Sequence, residues 1–383
     1  MTKDITAKLK IGFLLDDGLD KPDGVQQYIL TLGEWFQHNG HEVRYLVGES
    51  KRNDIPELIE LSKNLKVTFN GNKLSVPFWS KTRKIKETIE EEKFDVIHVQ
   101  VPFSPLMGNR VINNLPKNTA VIGTFHILPL KDSFFYRLGN KATALSIKSG
   151  LRRIDKHFSV SKPAQKFSKE VYKIDSDVLP NPVRLGKILL KSKDFSRISK
   201  FKIAFLGRLV SRKGCMTLLE AIDNLDEEHK KKVQVKIGGT GSDRKTLENF
   251  VKTRGLGNIV KFYGFIEEDD KHRFLNESDM AVFPSKGGES FGIVLTEAMA
   301  AQGPIVLAGD NPGYRSVLEN DKLLFNPNSF AELSSKITGF MDNPSSMNTA
   351  FTYQQKLVKN YDINKIGERL LVNFRLIVQN KNK

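Results

Sequence analysis

Two glutamates, Glu289 and Glu297, bracket the start of a predicted helix in the last third of the chain. A strand-like run at 280–284 precedes them, and good helix formers follow Ser290, which is placed to cap the helix. The first turn of a helix leaves N–H groups unpaired and carries partial positive charge, so it suits a phosphate or a ring of hydroxyls. Because carboxylates repel phosphate, we expect the glutamates to bind one sugar diol and one ribose diol. An ordinary strand–loop–helix is the alternative, but the residues together favour a sugar-nucleotide site.

Arg208 and Lys213 form a second candidate pair. They stand five positions apart, Arg208 at the end of a strand predicted at 202–209 and Lys213 in the loop after it, which Gly214 closes. A guanidinium and an ammonium there can bind the oxygens of a diphosphate and offset the charge that grows as it leaves. In so basic a chain, an isolated Arg–Lys pair is more often ordinary surface. A glycine run at 238–241 is a weaker phosphate-loop signal, because it lacks the dinucleotide fingerprint and the Walker lysine.

Polar side chains also end two predicted strands in the first half of the chain. The strand at 94–100 delivers His98 or Gln100, and the strand at 120–126 delivers His126. Ligands of parallel α/β sheets bind beyond the carboxyl ends of the strands, so these side chains are candidates for a site. Without the other motifs, the better interpretation of His126 is a strand-end histidine whose partner is the backbone.

Strand–helix units that position these residues recur through both halves of the chain. The 383 residues, 39% of them hydrophobic, suit two domains better than one. A lysine- and serine-rich stretch at 184–202 predicts a linker between them. We therefore expect two α/β halves of similar size with a cleft between them.

Composition limits the classes of partner and the compartment. The net charge of +16 implies an anionic partner, which could be a nucleotide, nucleic acid or acidic lipid. The sequence has no zinc spacing, aromatic RNA-binding signature or helix-turn-helix pattern, which argues against nucleic acid. A single cysteine, Cys215, excludes an internal disulfide and is compatible with a reducing cytoplasm. No apolar run has transmembrane length, and the N-terminus lacks the apolar region of a signal peptide.

A basic helix predicted at 80–92 is a candidate membrane contact. Lysine and arginine beside aromatic residues are typical of an amphipathic helix at a membrane surface. The alternative is a solvated helix whose isoleucines, Ile85 and Ile89, pack inward. A second basic region at 141–169 has the same two interpretations. The predicted membrane-surface residues are Trp79, Lys81, Arg83, Lys84 and Lys86.

Taken together, the motifs resemble the retaining glycosyltransferases of family 4. The resemblance spans nearly the whole chain and rests on residues 289–297 (ESFGIVLTE) and 207–214 (GRLVSRKG). Within that family, the sequence most resembles the phosphatidyl-myo-inositol mannosyltransferases. That likeness comes from GGESFGIVL followed by EAMAA, and from GVQ at 24–26, FDVIH at 94–98, GTFH at 123–126 and PN at 180–181.

The resemblance implies a GT-B fold, in which two Rossmann-like domains face across a cleft and a C-terminal helix returns to the first. It divides the chain into an acceptor-binding domain at 1–183, joined by a returning helix at 362–383, and a nucleotide-sugar-binding domain at 184–361. The implied reaction moves a hexose from a nucleotide to a hydroxyl with retention of configuration. Departure of the leaving group runs ahead of attack, so the protein mainly positions both substrates and stabilises diphosphate charge.

The resemblance implies roles for the residues of this sequence that match the family's motifs. Glu289 would hold donor-sugar hydroxyls, and Glu297 would hold the ribose diol. The diphosphate would lie between Arg208 and Lys213 on one side and Gly24 on the other. The remaining donor-side residues are Phe291, Gly292 and Ile293, through their main-chain N–H groups, and Ile266 and Lys271, near the base or its ribose.

On the acceptor side, His126 would lie beside the anomeric carbon and Gln26 near an inositol-like acceptor. The residues expected to act at the reacting centre are thus His126, Arg208, Lys213 and Glu289. The favoured donor is GDP-mannose, with a UDP-sugar as the alternative, and neither a further cofactor nor a metal is required. The favoured acceptor is a phosphatidylinositol-like lipid, which implies a cytoplasmic enzyme attached peripherally to the membrane.

Three departures from the family pattern bear on specificity. Asp23–Gly24 stands where the family has two glycines, His98–Val–Gln100 replaces a His-x-His strand end, and Gln302 is inserted between Ala301 and Gly303. None removes a glutamate, Arg208, Lys213 or His126. A non-catalytic sugar-nucleotide module ranks low because all the donor-side charges are present, and phosphorylase chemistry would need a cofactor lysine that the sequence does not reveal.

Overall fold

The computed structural model describes residues 7–20, 23–69, 72–101, 106–126, 148–186 and 193–383. The chain divides into two compact units. The first comprises Met1–Pro182 and Ile363–Lys383, and the second is the continuous stretch Val183–Asp362.

The first unit is built on a parallel sheet of seven described strands, in the order β3-β2-β1-β6-β7-β8-β9, beside an antiparallel hairpin of β4 and β5. Strand order reverses between β1 and β6, which makes the carboxyl edge of these two strands the switch point where such sheets bind ligands. The strands are β1 (Lys10–Leu15), β2 (Glu42–Val47), β3 (Leu58–Glu60), β4 (Lys63–Phe69), β5 (Asn72–Trp79), β6 (Val96–Gln100), β7 (Ala120–Phe125), β8 (Lys156–Ser159) and β9 (Asp177–Val178).

The helices of this unit are α1 (Gly24–His38), α2 (Thr82–Glu92), α3 (Met107–Asn114), α4 (Lys148–Arg153), α5 (Lys162–Phe167) and, from the end of the chain, α14 (Ile363–Lys381). A helix-spaced apolar stripe on α1 packs against α14. The rings of Phe36 and Phe374 stack at 5.4 Å between centroids, and Trp35 Nε1 donates to Asn364 Oδ1 at 2.9 Å. A Cβ at Gly367 would lie 2.6 Å from the Trp35 ring, so only glycine permits this approach.

Helix α2 decides between the two interpretations of its isoleucines. Ile85 and Ile89 are 0% and 5% exposed and belong to the core of the unit. The isoleucines therefore pack inward, and this apolar face is not available to enter a bilayer. Lys81, Arg83, Lys84 and Lys86 are exposed, with Arg83 Nε paired to Glu87 at 2.7 Å. Trp79 ends strand β5.

The second unit has its own parallel sheet of six strands, in the order β12-β11-β10-β13-β14-β15. Its switch point lies between β10 and β13. The strands are β10 (Phe201–Leu206), β11 (Val233–Gly238), β12 (Val260–Gly264), β13 (Met280–Phe283), β14 (Ile305–Gly309) and β15 (Leu324–Phe325). The helices are α6 (Cys215–Asp223), α7 (Glu227–Lys232), α8 (Arg244–Thr253), α9 (Glu268–Asn276), α10 (Ile293–Ala300), α11 (Pro312–Leu318), α12 (Phe330–Met341) and α13 (Pro344–Leu357).

Two local predictions in this unit are wrong. Helix α10 begins at Ile293 with Gly292 as its N-cap, so Ser290 does not cap it. The stretch at 184–202 is not wholly a linker, because Phe195 is 2% exposed and Lys193 Nζ lies 3.0 Å from Asp279 Oδ1. The lysine-rich composition of residues 184–202 gave no sign that Phe195 and Lys193 make these contacts within the second unit.

Candidate active site

The centre of the candidate site is a buried carboxylate at the switch point of the second unit. Arg212 and Lys213 lie in a 3₁₀ turn after β10, and Ser285 and Glu289 lie in the loop after the neighbouring β13. Glu289 Oε1 is 2.7 Å from Arg212 Nη1, 2.8 Å from Lys213 Nζ and 2.9 Å from Ser285 Oγ. Both cations therefore meet one oxygen of one carboxylate.

Backbone contacts hold the two loops together. The Lys286 N–H donates to the Arg212 carbonyl at 2.8 Å, and Ser285 Oγ lies 3.2 Å from the same oxygen. Gly214 has a φ of 71°, and a Cβ there would lie 2.0 Å from the Pro284 carbonyl oxygen. The glycine that ends the Arg–Lys loop is thus required by this close approach.

Glu289 is held in its ionised form. Burial alone would raise its pKa, but Lys213 and Arg212 outweigh burial and lower the pKa to about 2. Its side chain is 11% exposed. All its donors in the described part of the chain approach Oε1, and none donates to Oε2. One carboxylate oxygen is thus fixed by the protein while the other can accept from a ligand.

The start of α10 lies directly beyond this carboxylate. Gly292 has a φ of 104°, and a Cβ on it would lie 2.5 Å from the ring of Tyr314, which is buried. The Phe291 ring packs edge-on against Tyr361 at 5.5 Å, so its side chain belongs to the core. At Phe291 and Gly292, only the main-chain groups are then free of the core to contact a ligand.

Glu297 belongs to a second charged group, one turn into α10. Lys271 Nζ lies 2.6 Å from Glu268 Oε2 and 3.5 Å from Glu297 Oε1. Burial opposes the charge of Lys271, but the two carboxylates outweigh it and raise its pKa. Ile266 is half-buried and packs closely against Gly238. A Cβ on Gly238 would lie 2.8 Å from Ile266 Cγ1.

Arg208 is exposed after β10, in a loop packed against the glycine run. A Cβ on Gly239 would lie 1.9 Å from the Gly207 carbonyl oxygen, and one on Gly241 would lie 2.1 Å from the Leu209 carbonyl oxygen. Gly239 also has a φ of 131°. Contact between the two loops explains these glycines without a phosphate.

In the first unit, His126 directly follows β7, and Gln100 is the last residue of the adjacent β6. His126 Nε2 lies 2.7 Å from Gln100 Oε1, and Gln100 Nε2 donates to the His98 carbonyl at 3.2 Å. The second contact fixes the orientation of the amide, so Oε1 faces the imidazole and can only accept. His126 therefore carries its hydrogen on Nε2. Burial lowers its pKa to about 3, which leaves the ring neutral at physiological pH.

His98 is part of the same polar cluster but lies in the core. It is 0% exposed, its Nε2 lies 2.7 Å from Thr124 Oγ1, and its ring meets Phe374 of α14 edge-on. Burial, with a smaller contribution from His126, lowers its pKa to about 3. Of the two candidates at the end of β6, Gln100 is thus the one that contacts His126.

Asp23, which departs from the family pattern, caps α1. Its Oδ1 accepts from the N–H groups of Val25 and Gln26, both at 3.0 Å. Gly24 is the first residue of the helix, and Gln26 is 2% exposed. The carboxylate thus binds the helix N–H groups that would otherwise face an anion.

No helix in the described ranges is both long enough and apolar enough to cross a bilayer. The same residues bring no three His, Cys, Asp or Glu side chains together as a metal site would require. Cys215 is buried, which raises the pKa of its thiol.

Comparison with known proteins identifies the family. Residues 22–187 match the model of Glycosyltransferase Family 4, and residues 190–358 match that of Glycosyl transferases group 1. A phosphatidyl-myo-inositol mannosyltransferase of Mycolicibacterium smegmatis is 30% identical over 322 residues, which cover 81% of this chain and 78% of that protein. The chain belongs to glycosyltransferase family 4.

This family 4 glycosyltransferase is also similar to a second curated protein. A phosphatidyl-myo-inositol mannosyltransferase of Propionibacterium freudenreichii is 26% identical over 388 residues, covering 97% of this chain and 96% of that one. Among solved structures, Anabaena HepE in complex with UDP matches with a TM-score of 0.73 at 17% identity, over 95% of this chain and 99% of that one. The glycosyltransferase therefore has the GT-B fold, as the resemblance implied.

Proposed function

We propose that this enzyme transfers a hexose, with mannose from GDP-mannose favoured, to a hydroxyl of a phosphatidylinositol-like lipid with retention of configuration. The observation that carries the donor half is the Glu289 carboxylate, whose Oε1 is held by Arg212 and Lys213. The names of the relatives, phosphatidyl-myo-inositol mannosyltransferases, support the sugar and the acceptor.

In this proposal, the anchored carboxylate fixes the sugar. Glu289 Oε2 accepts hydroxyl hydrogens of the hexose, since Oε1 already has its donors. Main-chain N–H groups at 291–293 add further contacts beside it. Because Oε1 is immobilised by charge-assisted hydrogen bonds, little entropy is lost when the sugar binds.

The diphosphate is bound by Arg208 and Lys213. Lys213 lies 2.8 Å from Glu289, so its ammonium can bridge the sugar-binding carboxylate and the leaving diphosphate. Arg212 continues to neutralise the Glu289 carboxylate when the Lys213 ammonium binds the phosphate. Negative charge that grows on the diphosphate is thereby stabilised without a metal ion. Glu297 holds the ribose diol, oriented by Lys271.

His126 is proposed to orient groups at the reacting centre. Its Nε2–H donates to Gln100 and its pKa is about 3, so it is not a proton donor at neutral pH. Gln26 is proposed to contact the acceptor and Gly24 to approach the diphosphate from the first unit. The first unit thus binds the acceptor and the second binds the donor, with boundaries at 183 and 362.

Attachment to a membrane is proposed to be electrostatic. The exposed cations of α2 and its N-cap, Lys81, Arg83, Lys84 and Lys86, face solvent while its isoleucines face the core. Such a surface attracts anionic lipid reversibly and without insertion. The enzyme would then be cytoplasmic and peripheral, with its acceptor in the adjacent leaflet.

A UDP-sugar donor with another lipid or a soluble acceptor is the second candidate. Ile266, the residue matched to the base, is an aliphatic side chain that contacts any base without reading its hydrogen-bonding edge. We therefore test the donors in parallel.

The test is release of nucleoside diphosphate from GDP-mannose or a UDP-sugar, with and without vesicles that contain phosphatidylinositol. We expect release only with GDP-mannose and only with the lipid, and none from Glu289→Gln. Release from a UDP-sugar would favour the second candidate. No release from any donor with any lipid would contradict the proposal.

A further inference from the structure

A groove of about 450 Å³ lies on the second unit, away from the candidate active site. It is lined by residues of three neighbouring strands, β10, β11 and β12, by the turn that precedes β12, and by the residue that follows α9. Arg208 and Gly239, by contrast, follow the carboxyl ends of these strands. The residues that define the groove are Lys202, Gln234, Lys236, Asn258, Lys261, Tyr263 and Glu277.

The strand residues of the groove share one face of the sheet. Lys202 is in register with Gln234, and Lys236 is in register with Lys261. Side chains two apart on a strand point the same way, so Tyr263 joins this face. Strands of a parallel sheet are normally apolar on both faces because helices cover them. Here β11 and β12 alternate apolar and polar residues, and β10 has the exposed Lys202 beside them, which indicates that this part of the face is not fully covered.

The groove has more positive than negative charge. Lys236 Nζ donates to the Phe274 carbonyl at 2.9 Å and lies 3.5 Å from Glu277 Oε2. Lys261 Nζ lies 5.1 Å from the centroid of the Tyr263 ring. Within the described part of the chain, the Lys202 ammonium has no acceptor. The neighbouring carboxylate, Asp279, is already neutralised by Lys193 at 3.0 Å.

The lysines also act on one another. Burial lowers the pKa of Lys236, the attraction of Glu277 opposes this, and repulsion by Lys202 adds to the lowering. Three lysine ammonium groups therefore line the groove with one carboxylate, Glu277, which is 57% exposed and lies 3.5 Å from Lys236. A bound anion would relieve this repulsion, and the amides of Gln234 and Asn258 offer it N–H donors.

We propose that this groove binds a phosphate ester, as a site distinct from that of the donor diphosphate. The volume is that of a small-ligand pocket, and the Tyr263 ring, 44% exposed, provides a flat apolar wall for the organic part of the ester. The ester belongs either to the headgroup of an anionic phospholipid or to a soluble phosphorylated metabolite. The proposal does not depend on which sugar the enzyme transfers.

The test uses the full chain and a pair of variants with the same change in charge. Lys202→Glu/Lys261→Glu alters two exposed side chains of the groove, and Lys252→Glu/Lys356→Glu alters two exposed lysines elsewhere on the same unit. Calorimetry measures binding of inorganic phosphate and glycerol 3-phosphate. Sedimentation measures binding to phosphatidylcholine vesicles with and without phosphatidylglycerol. Thermal unfolding checks that each variant folds.

We expect the groove variant to lose about tenfold or more in affinity for at least one phosphate-containing probe, while the control variant retains it. Loss of soluble-ester binding alone identifies a metabolite site, and loss of anionic-vesicle binding alone identifies a headgroup site. Parental binding by the groove variant, an equal loss in the control, or no binding by the parent would overturn the proposal. Calorimetric binding of the donor nucleotide should be unchanged in both variants, which separates this test from that of the transferase reaction.

Discussion

Lys213 Nζ lies 2.8 Å from Glu289 Oε1, so the side chains assigned to the diphosphate and to the sugar form one ion pair. Arg212 meets the same oxygen at 2.7 Å. A change to the carboxylate is therefore also a change to the cations around the diphosphate. This coupling shapes the predictions for the donor site.

Replacing Glu289 by glutamine should lower kcat by about two orders of magnitude or more, because the sugar loses an ionic acceptor and Lys213 loses its alignment. Steady-state kinetics with the preferred donor measures the effect, and calorimetry with the nucleoside diphosphate measures binding. Glu368→Gln, at an exposed position on α14, is the control for the same chemical change. Parental kcat in Glu289→Gln would show that the carboxylate does not contact the reacting sugar.

Glu289 should also make the free energy of unfolding fall more steeply as the pH is lowered. Its pKa falls from 4.5 to about 2 on folding, so its contribution is complete above pH 4.5 and is lost as the pH falls toward 2. The contribution amounts to at most about 3–4 kcal/mol. Urea unfolding of the parent and of Glu289→Gln at a series of pH values should show their difference shrinking over this window. A difference that is constant with pH would contradict the lowered pKa.

Gln100→Glu should charge His126. A carboxylate 2.7 Å from Nε2 favours the imidazolium, whereas the parental ring stays neutral because burial lowers its pKa to about 3. Nitrogen NMR of the histidine side chains at neutral pH should show an Nε2–H neutral tautomer in the parent and a protonated ring in the variant. The pH dependence of the transfer rate should therefore show an additional ionisation, that of His126.

Gln379→Glu, on α14, serves as the control for the added charge. If the His126 resonances were the same in all three proteins, Gln100 would not set the state of that ring.

How far the sequence predicts this architecture depends on the element. Strand and helix periodicity predicted the main units, because buried strands such as β10 and amphipathic helices such as α1 carry strong patterns. The hairpin of β4 and β5 was missed, although Asn70–Gly71 between two alternating stretches is a hairpin signal. Its lysines and Pro77 weakened the pattern.

The candidate site shows a different limit. Resemblance named Glu289 and Lys213, but Arg212 was not singled out, because adjacent residues in a loop give no sign of where they point. A 3₁₀ turn at Ser211–Lys213 brings both cations to the same oxygen. The Gln100–His126 contact likewise depends on the pairing of β6 with β7, which periodicity alone does not specify.

Gly292→Ala should destabilise the second unit and weaken donor binding together. The residue has a φ of 104°, and the new Cβ would lie 2.5 Å from the Tyr314 ring, for a combined cost of about 2–4 kcal/mol. Gly339→Ala is the matched control, since it lies in α12 with open space around it. That control should be neutral or stabilising by up to about 1 kcal/mol. Urea unfolding and nucleotide calorimetry compare the two, and equal effects would contradict the steric argument.

Reversing the charge of Lys81, Arg83, Lys84 and Lys86 should abolish binding to anionic vesicles at low salt and lower turnover on a lipid acceptor. Each cation contributes about 1 kcal/mol, partly offset by the acidic residues of α2 such as Glu87. Parental binding should weaken as salt is added, because α2 offers no apolar face. Sedimentation measures this, with four exposed lysines of the second unit, Lys245, Lys252, Lys322 and Lys356, reversed as a control. Binding that survives high salt would contradict the electrostatic mode.

Helix α14 reaches the core of the first unit from the opposite end of the polypeptide. Leu370 and Phe374 are 0% exposed there, packed with residues of α1. During synthesis the second unit, one continuous stretch, can gather all its own contacts while the first still lacks a helix. The first unit must then hold Trp35 and Phe36 partly uncovered until residues 363–381 leave the ribosome. The first unit is therefore completed only after the whole of the second unit has been translated.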